Sequence, residues 1–301
     1  MVGSRHVTPP LVETVADPSP ERALEYCRAL EEGRILLFAD PPFVLAAADR
    51  SFLLDQRQTR AGYHKNIAYR PAQDRVTGGA RGADAERLRD VLRIYSQRAA
   101  EFAARILPPY ADRWRLDFAS FRSEEEEGRV LPPHSRNDLI HVDAFPTRPT
   151  RGDRILRLFT NVNPAEPRVW LTGGTFEEIV PRFAPLRMVE KARRGGLSDR
   201  LRGLARAAGL NVAVRSPYDR FMLSFHHHLK ESADFQQEAP KSKLEFPAGS
   251  TWMVFTDMVS HAVLKGRFAL EQTFLVARDS LVLPDKAPIA ILERLAHGPM
   301  A

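Results

Sequence analysis

Apolar and polar positions alternate or recur along this chain in a way that divides it into helix-like and strand-like runs. The first helix signal is Ser19-Pro20-Glu21, a cap with proline at the first helical position, and it predicts a helix to Gly33 with Ala23, Leu24, Cys27 and Leu30 on one face. Ile35 to Phe38 reads as a short buried strand ended by Pro41-Pro42, and Phe52-Leu53-Leu54 closes a brief helix. Asp84 caps a longer helix in which Leu88, Leu92, Tyr95, Ala99, Phe102 and Ile106 recur at threes and fours until Pro108-Pro109 stops it. Leu116, Phe118 and Phe121 suggest a strand. The run Arg154-Ile155-Leu156-Arg157-Leu158-Phe159-Thr160-Asn161 predicts another, closed by a turn at Val162-Asn163-Pro164.

Phe246-Pro247-Ala248-Gly249-Ser250 makes a turn into a strand at Thr251 to Thr256; Ser260 to Val263 falls in a short loop, and Phe268 to Ala277 is the last strand. Arg57 to Gly82, rich in Arg and Gly and holding Tyr63, His64, Lys65 and Tyr69, reads as one long loop beside the site. Thr172 to Ala239 reads as a helical insertion. It holds a short turn at Phe176 to Val180, a basic amphipathic helix around Leu197, Leu201 and Leu204, and a helix opened by Ser216-Pro217 with Tyr218, Phe221, Met222, Phe225 and Leu229 as its stripe. The tail from Asp285 predicts a short helix around Ile289, Leu292 and Leu295. The whole is read as one domain: a mostly helical part over residues 1–112, a β-rich core over 113–280 carrying the insertion 172–239, and a tail over 281–301.

The chemistry concentrates at His141-Val142-Asp143. In a strand, residues i and i+2 share a face, so the imidazole and the carboxylate point at one spot. A bare H-x-D is a frequent chance pattern of solvated side chains; here a later histidine, His261, sits between two strand runs and completes two nitrogens and one carboxylate. On one side of an octahedron that set holds non-haem Fe(II) and leaves positions open. The conspicuous His226-His227-His228 is the weaker candidate, because consecutive helical residues point about 100° apart and cannot converge on one ion. One of the three could still face a substrate. Glu124 to Glu127 reads as a solvated acidic turn.

Composition bounds this picture without directing it. The 301 residues are 44% hydrophobic and 27% charged, ordinary for a globular protein. With Cys27 the only cysteine, no intrachain disulfide and no thiolate cluster can form. No segment approaches the roughly 20 apolar residues of a membrane span, and Met1 to Glu13 has no signal-peptide core, so a cytoplasmic protein is expected. The net charge of +6 gathers at Arg57 to Arg81 and Arg187 to Arg206. Such stretches attract nucleic acid, an anionic membrane or an acidic substrate, or are simply solvated faces.

Three stretches together carry a family resemblance: Asn137-Asp138-Leu139-Ile140-His141-Val142-Asp143-Ala144-Phe145-Pro146-Thr147-Arg148-Pro149-Thr150, the Asn161-Val162-Asn163-Pro164 turn, and Trp252 through His261 to Leu270-Glu271-Gln272-Thr273-Phe274. The chain resembles the bacterial Kdo hydroxylases over most of its length, most densely from Asn137 to Ala277. The resemblance implies a double-stranded β-helix (jelly-roll, cupin-like) core wrapped by helices, in the mixed α/β (α+β) class. It implies an Fe(II)- and 2-oxoglutarate-dependent dioxygenase that uses O2 to hydroxylate the 3-deoxy sugar Kdo at C3 on Kdo-lipid A, giving Ko with succinate and CO2. Its metal-ligand and catalytic roles fall on His141, Asp143 and His261. Related oxygenases often anchor the distal carboxylate of 2-oxoglutarate with an arginine on the last strand, where this chain reads Leu270-Glu271-Gln272-Thr273. Arg157 is therefore the first choice of anchor, since a charge amid Ile155, Leu156, Leu158 and Phe159 wants a partner, with an outward salt bridge as its alternative. Gln272, Thr273 and Arg267 are second choices. Arg148, Arg151 and Lys65 are expected near the anionic substrate, and the protein is expected peripherally at the inner membrane with no nucleic-acid partner. The rival readings are the same chemistry on a peptide or amino acid, and a non-catalytic metal- or nucleic-acid-binding protein.

Overall fold

The strands form two sheets that face each other. The large sheet has eight strands in the order β1-β2-β9-β6-β11-β5-β3-β4 and the small one three, β10-β7-β8. They are β1 Val12–Thr14, β2 Ile35–Phe38, β3 Ile67–Arg70, β4 Arg75–Thr77, β5 Trp114–Arg122, β6 Arg154–Asn161, β7 Arg168–Thr175, β8 Ser242–Phe246, β9 Thr251–Phe255, β10 Val259–Lys265 and β11 Ala269–Val276. All pairings are antiparallel except β1 with β2. This computed structural model describes residues 12–57, 66–79, 81–129, 131–196, 201, 204–210, 212 and 214–301. Among them no helix is long and apolar enough to cross a membrane.

The central strands are apolar on both faces because both faces are covered. β11 is buried at all eight positions. Its outer side packs under the helix Ala83–Ile106, where the Tyr95 hydroxyl donates to the Leu158 carbonyl (3.4 Å) and the Ser96 hydroxyl to Gln272 Oε1 (2.7 Å). Its inner side looks toward β7 and β10 and carries the charged chemistry. The helix Pro217–Glu231, capped by reciprocal Ser216 and Asp219 bonds, closes the open end with His226 turned toward the cleft.

Three expectations need correction. Arg57 to Gly82 is not one loop, since Ile67–Arg70 and Arg75–Thr77 pair as a hairpin on the edge of the large sheet, its turn held by the Tyr69 hydroxyl on Asp74 Oδ1 (2.9 Å). The short strands escape an Arg-rich pattern search; residues 58–65, with Tyr63, His64 and Lys65, lie outside the described residues. Ser260 to Val263 is strand, not loop: bulges between Val259 and His261 and between Val263 and Lys265 break the alternation that would reveal it. β7 runs to Thr175, so the helical insertion starts there and not at Thr172. The N-terminal part is mostly helical, as expected, and also supplies β1 to β4 to the large sheet. Of the basic amphipathic helix, Leu197 lies outside the described residues, while Leu204 to Ala207 is helical.

Beneath the site, Arg154 and Asp257 form an ion pair with no solvent exposure (Nε to Oδ2 2.9 Å, Nη2 to Oδ1 3.3 Å), the guanidinium 4.1 Å above the Phe255 ring. Asp257 lies in the β9–β10 turn, next to Thr256, whose carbonyl accepts the Asp143 amide (2.8 Å). Truncating one member strands a buried charge. Asp257→Ala should lower unfolding free energy by about 3–5 kcal/mol in urea titrations, and an Arg154→Met/Asp257→Leu pair should lose far less.

Candidate metal centre

His141 sits outside any regular strand, yet it forms a two-bond antiparallel bridge with His261, each amide donating to the other's carbonyl (3.0 and 2.8 Å). This bridge brings residues 120 positions apart side by side, and Asp143 follows on the same face. The ligand atoms of His141, Asp143 and His261 lie within 4.8 Å of one another, and all three residues are buried. His141 Nδ1–H donates to the Leu139 carbonyl (2.7 Å) and His261 Nδ1–H to the Val259 carbonyl (2.9 Å). A carbonyl only accepts, so these bonds set the tautomer and leave both Nε2 lone pairs facing Asp143. His141 Nε2 lies 3.6 Å from Asp143 Oδ1.

Burial pushes the His141 pKa down to about 4 and also lowers that of His261, so both rings are neutral near pH 7. Burial works to raise the Asp143 pKa, but the Arg157 guanidinium and the neighbouring imidazoles outweigh it and hold the carboxyl well below its usual range. Asp143 Oδ2 lies 3.1 Å from Arg157 Nη2, an ion-pair distance, but accepts no well-aligned hydrogen bond. Two neutral imidazoles and one ionised carboxylate, preset and buried, are the donor set of a facial divalent-metal site.

A web of buried charge surrounds the triad. Arg157 Nη1 reaches Glu271 Oε1 (2.7 Å), Arg122 Nη2 reaches Glu271 Oε2 (2.6 Å), and the Thr273 hydroxyl also donates to Glu271 (3.2 Å). Arg157 thus faces inward with its fork occupied by two carboxylates, and the alternative of an outward salt bridge does not hold. Thr273 shares this inner face. Gln272, one residue along, points the other way to Ser96 and to the Asp117 and Thr273 carbonyls. Arg267 lies in the β10–β11 turn with its guanidinium 4.0 Å over Phe268. Arg148 pairs with Asp117 between the Phe118 and Phe145 rings, and Arg151 is exposed. Glu126 is not the solvated residue expected of its acidic run: it is buried and accepts from Asn137 Nδ2 (3.1 Å).

Several groups escaped the sequence reading. Phe159, Trp170, Arg122 and Val263 line the cavity with the triad, and the Trp170 ring stacks on His261 at 5.1 Å. Two residues before Trp170, hence on the same face of β7, lies Arg168, 1% exposed. Its Nη1 donates to the Gly266 carbonyl (2.5 Å), while Nε and Nη2 have no partner and no carboxylate lies at ion-pair distance among the described residues. Gly266, at φ +113°, is needed there, because a Cβ would lie 2.9 Å from the Arg168 Cα. Burial, then the nearby Arg122, pushes the Arg168 pKa down to about 10. The only sequence signal was an arginine in phase with a tryptophan. The three adjacent histidines diverge as helix geometry requires: His226 donates to the Val142 carbonyl with its ring 4.8 Å from that of His141, His227 lies against His134 with the rings tilted by 50°, and His228 bonds the Phe183 carbonyl.

The sequence matches the family described as 3-deoxy-D-manno-oct-2-ulosonic acid (Kdo) hydroxylase over residues 13–299. No match is found among curated proteins. The fold is similar to that of the Kdo hydroxylase KdoO, a non-haem Fe(II) α-ketoglutarate-dependent dioxygenase, in its complex with α-ketoglutarate and Fe(III), at TM-score 0.82 and 32% identity over 97% of both chains. It is equally similar to the cobalt(II) complex (TM-score 0.83, 32% identity, 96% of this chain and 97% of that one) and to the complex with succinate and Fe(III) (TM-score 0.81, 32% identity, 96% and 97%).

Buried histidines with lowered pKa values tie stability to pH. The unfolded chain takes up protons below about pH 6.5 that the folded chain refuses until about pH 4 at His141, so stability is full above that window and falls as pH drops through it. Urea unfolding of metal-free protein should therefore weaken from pH 7 to pH 5, and His141→Asn should flatten part of that slope.

Proposed function

Because the chain belongs to the Kdo hydroxylase family, we infer that it is an iron- and 2-oxoglutarate-dependent dioxygenase that hydroxylates Kdo. The observation that carries this reading is the buried triad His141, Asp143 and His261, with both Nδ1 atoms tied to backbone carbonyls and the Nε2 lone pairs left free. In this reading the three residues hold Fe(II) on one side. When bound, iron and 2-oxoglutarate supply the oxidising chemistry, in which O2 converts 2-oxoglutarate to succinate and CO2 and delivers one oxygen atom to a C–H bond of the sugar. The finer assignment is C3 of Kdo on Kdo-lipid A, giving Ko; a substrate anchored in a bilayer also puts the enzyme at a membrane surface.

The chain's own residues orient and neutralise. Arg157 engages Asp143 Oδ2 and so holds the carboxylate in place, leaving Oδ1 as the oxygen that would meet a metal. Trp170 and Phe159 shield the inner side of the site from water. For the distal carboxylate of 2-oxoglutarate, Arg168 fits better than Arg157, whose fork is already spent on Asp143 and Glu271. Two strand residues cover roughly 7 Å, about the reach of an extended five-carbon diacid running from His261 past Trp170. A buried arginine with two unused donors is costly unless an anion joins it. Arg122, held by Glu271, adds positive potential beside it.

Two measurements test this. Mass analysis of extracted Kdo-lipid A after incubation should show the gain of one oxygen on Kdo; active enzyme without that gain would move the reading to another substrate. Calorimetric titration of 2-oxoglutarate into Co(II)-loaded protein should show binding about 10- to 100-fold weaker in Arg168→Met. The same change should raise the melting temperature of the ligand-free protein, because it removes an unpaired buried charge. A larger loss of affinity in Arg157→Met than in Arg168→Met would return the anchor to Arg157.

A further inference from the structure

The segment that carries His141 and Asp143 lies outside the strands β1 to β11, yet its backbone is held from both sides. On the inner side His141 exchanges two bonds with His261 in β10, and the Asp143 amide donates to the Thr256 carbonyl. In an extended chain neighbouring residues turn their N–H and C=O to opposite sides. On the outer side Ile140 (1% exposed) and Val142 (0%) meet no strand among the described residues, and buried backbone groups of this kind need partners.

Two side chains supply them. The Gln236 amide pairs reciprocally with the Ile140 backbone, its Nε2 donating to the carbonyl (2.8 Å) and its Oε1 accepting from the N–H (3.1 Å). These are the two bonds that an opposed residue makes in an antiparallel ladder. His226 Nδ1–H donates to the Val142 carbonyl (2.8 Å). The ligand segment therefore lies along β10 like an edge strand whose outer neighbour consists of side chains, 84 and 96 residues away in sequence.

Both side chains come from one helical corner. His226 sits on the helix Pro217–Glu231, and Gln236 on the short helix Ala233–Glu238 that follows Ser232. Gln236 Nε2 also donates to the Leu229 carbonyl (2.8 Å), so one amide ties the end of the first helix to the ligand segment. Lys230 donates to the His134 carbonyl (3.3 Å) and holds the approach to that segment. The corner is thus fastened to the chain at His134, Ile140 and Val142, the last being the residue between the two ligands.

We propose that His226 and Gln236 are positioning residues for the metal centre: by filling the outer edge of residues 140–142 they hold His141 and Asp143 where both can reach one divalent ion. Neither belongs to the donor cluster itself. Groups that orient ligands without binding the ion are typically worth about 10- to 100-fold in metal affinity. The role rests on the metal reading of the triad, while the clamp on the backbone exists in the metal-free chain.

The test compares the wild type with His226→Leu, Gln236→Leu, His226→Asn and His228→Leu. Titration of Co(II) into metal-free protein, read by calorimetry and by the visible absorption of the bound ion, should show about tenfold weaker binding and an altered spectrum in His226→Leu and Gln236→Leu. His226→Asn keeps an N–H donor on Cγ, where Nδ1 is attached, and should restore most of the affinity. His228→Leu deletes a comparable bond from the same helix, to the Phe183 carbonyl, and should leave Co(II) affinity unchanged whatever it does to the melting temperature. In metal-free protein, amide exchange at His141 and Asp143, whose bonds run to the inner side, should quicken in His226→Leu and Gln236→Leu and not in His228→Leu. Unchanged Co(II) affinity in His226→Leu and Gln236→Leu, no restoration by His226→Asn, or an equal loss in His228→Leu would each overturn the proposal. A wild type that takes up no Co(II) would remove the metal reading; amide exchange would then decide the clamp, and unchanged protection at His141 and Asp143 would overturn it.

Discussion

Two backbone hydrogen bonds between His141 and His261 are the constraint on which the site depends. Neither side chain could be aimed without them. The bridge fixes the separation of the two imidazoles, and each Nδ1 bond to a nearby carbonyl then fixes its rotation and tautomer. Asp143 is tied separately, by its amide to the Thr256 carbonyl, so the carboxylate is set by the β9–β10 turn that also leads into His261. Triad, turn and the buried Arg154–Asp257 pair beneath them form one mechanical unit. Rigidity of this kind is what a preorganised donor set needs, because reorganisation on binding would otherwise reduce affinity.

The unit is assembled against its own electrostatics. Arg122, Arg157, Asp143 and Glu271 are all largely buried, and their desolvation is offset only by close pairing with one another. Arg168 lacks even that. A fold selected for stability alone would place an apolar residue there, and this missing counter-charge is the observation behind the proposed anchor role of Arg168. The two inner arginines differ in counter-charge: both Nη atoms of Arg157 face protein carboxylates, leaving only its Nε without a partner, whereas Arg168 faces no carboxylate among the described residues.

The fold class and the candidate triad were legible in the sequence from the order of strand-like runs around H-x-D and a later histidine, although His141 lies outside any regular strand and meets His261 through a long-range bridge. The strands and helices around them followed local periodicity and turns such as Phe246 to Ser250. What stayed hidden depends on pairing across the chain. The partners of Arg157 and Arg122 meet on Glu271, more than a hundred residues away, and no local pattern announces that meeting. Gln272 and Thr273 looked equivalent in sequence, but the alternation of β11 puts Thr273 inside and Gln272 against the helix Ala83–Ile106. β10 was hidden by its own bulges, one of which falls between Val259 and His261.

The central claim is that this triad serves a 2-oxoglutarate-dependent reaction on a Kdo glycolipid. Its most direct test is succinate release from 2-oxoglutarate by anaerobically Fe(II)-reconstituted protein on admission of O2, with and without Kdo-lipid A, in the wild type and in His141→Ala. The account predicts release that requires the lipid and is lost in the variant. Release of equal size in His141→Ala, or no release by the wild type with every component present, would contradict it.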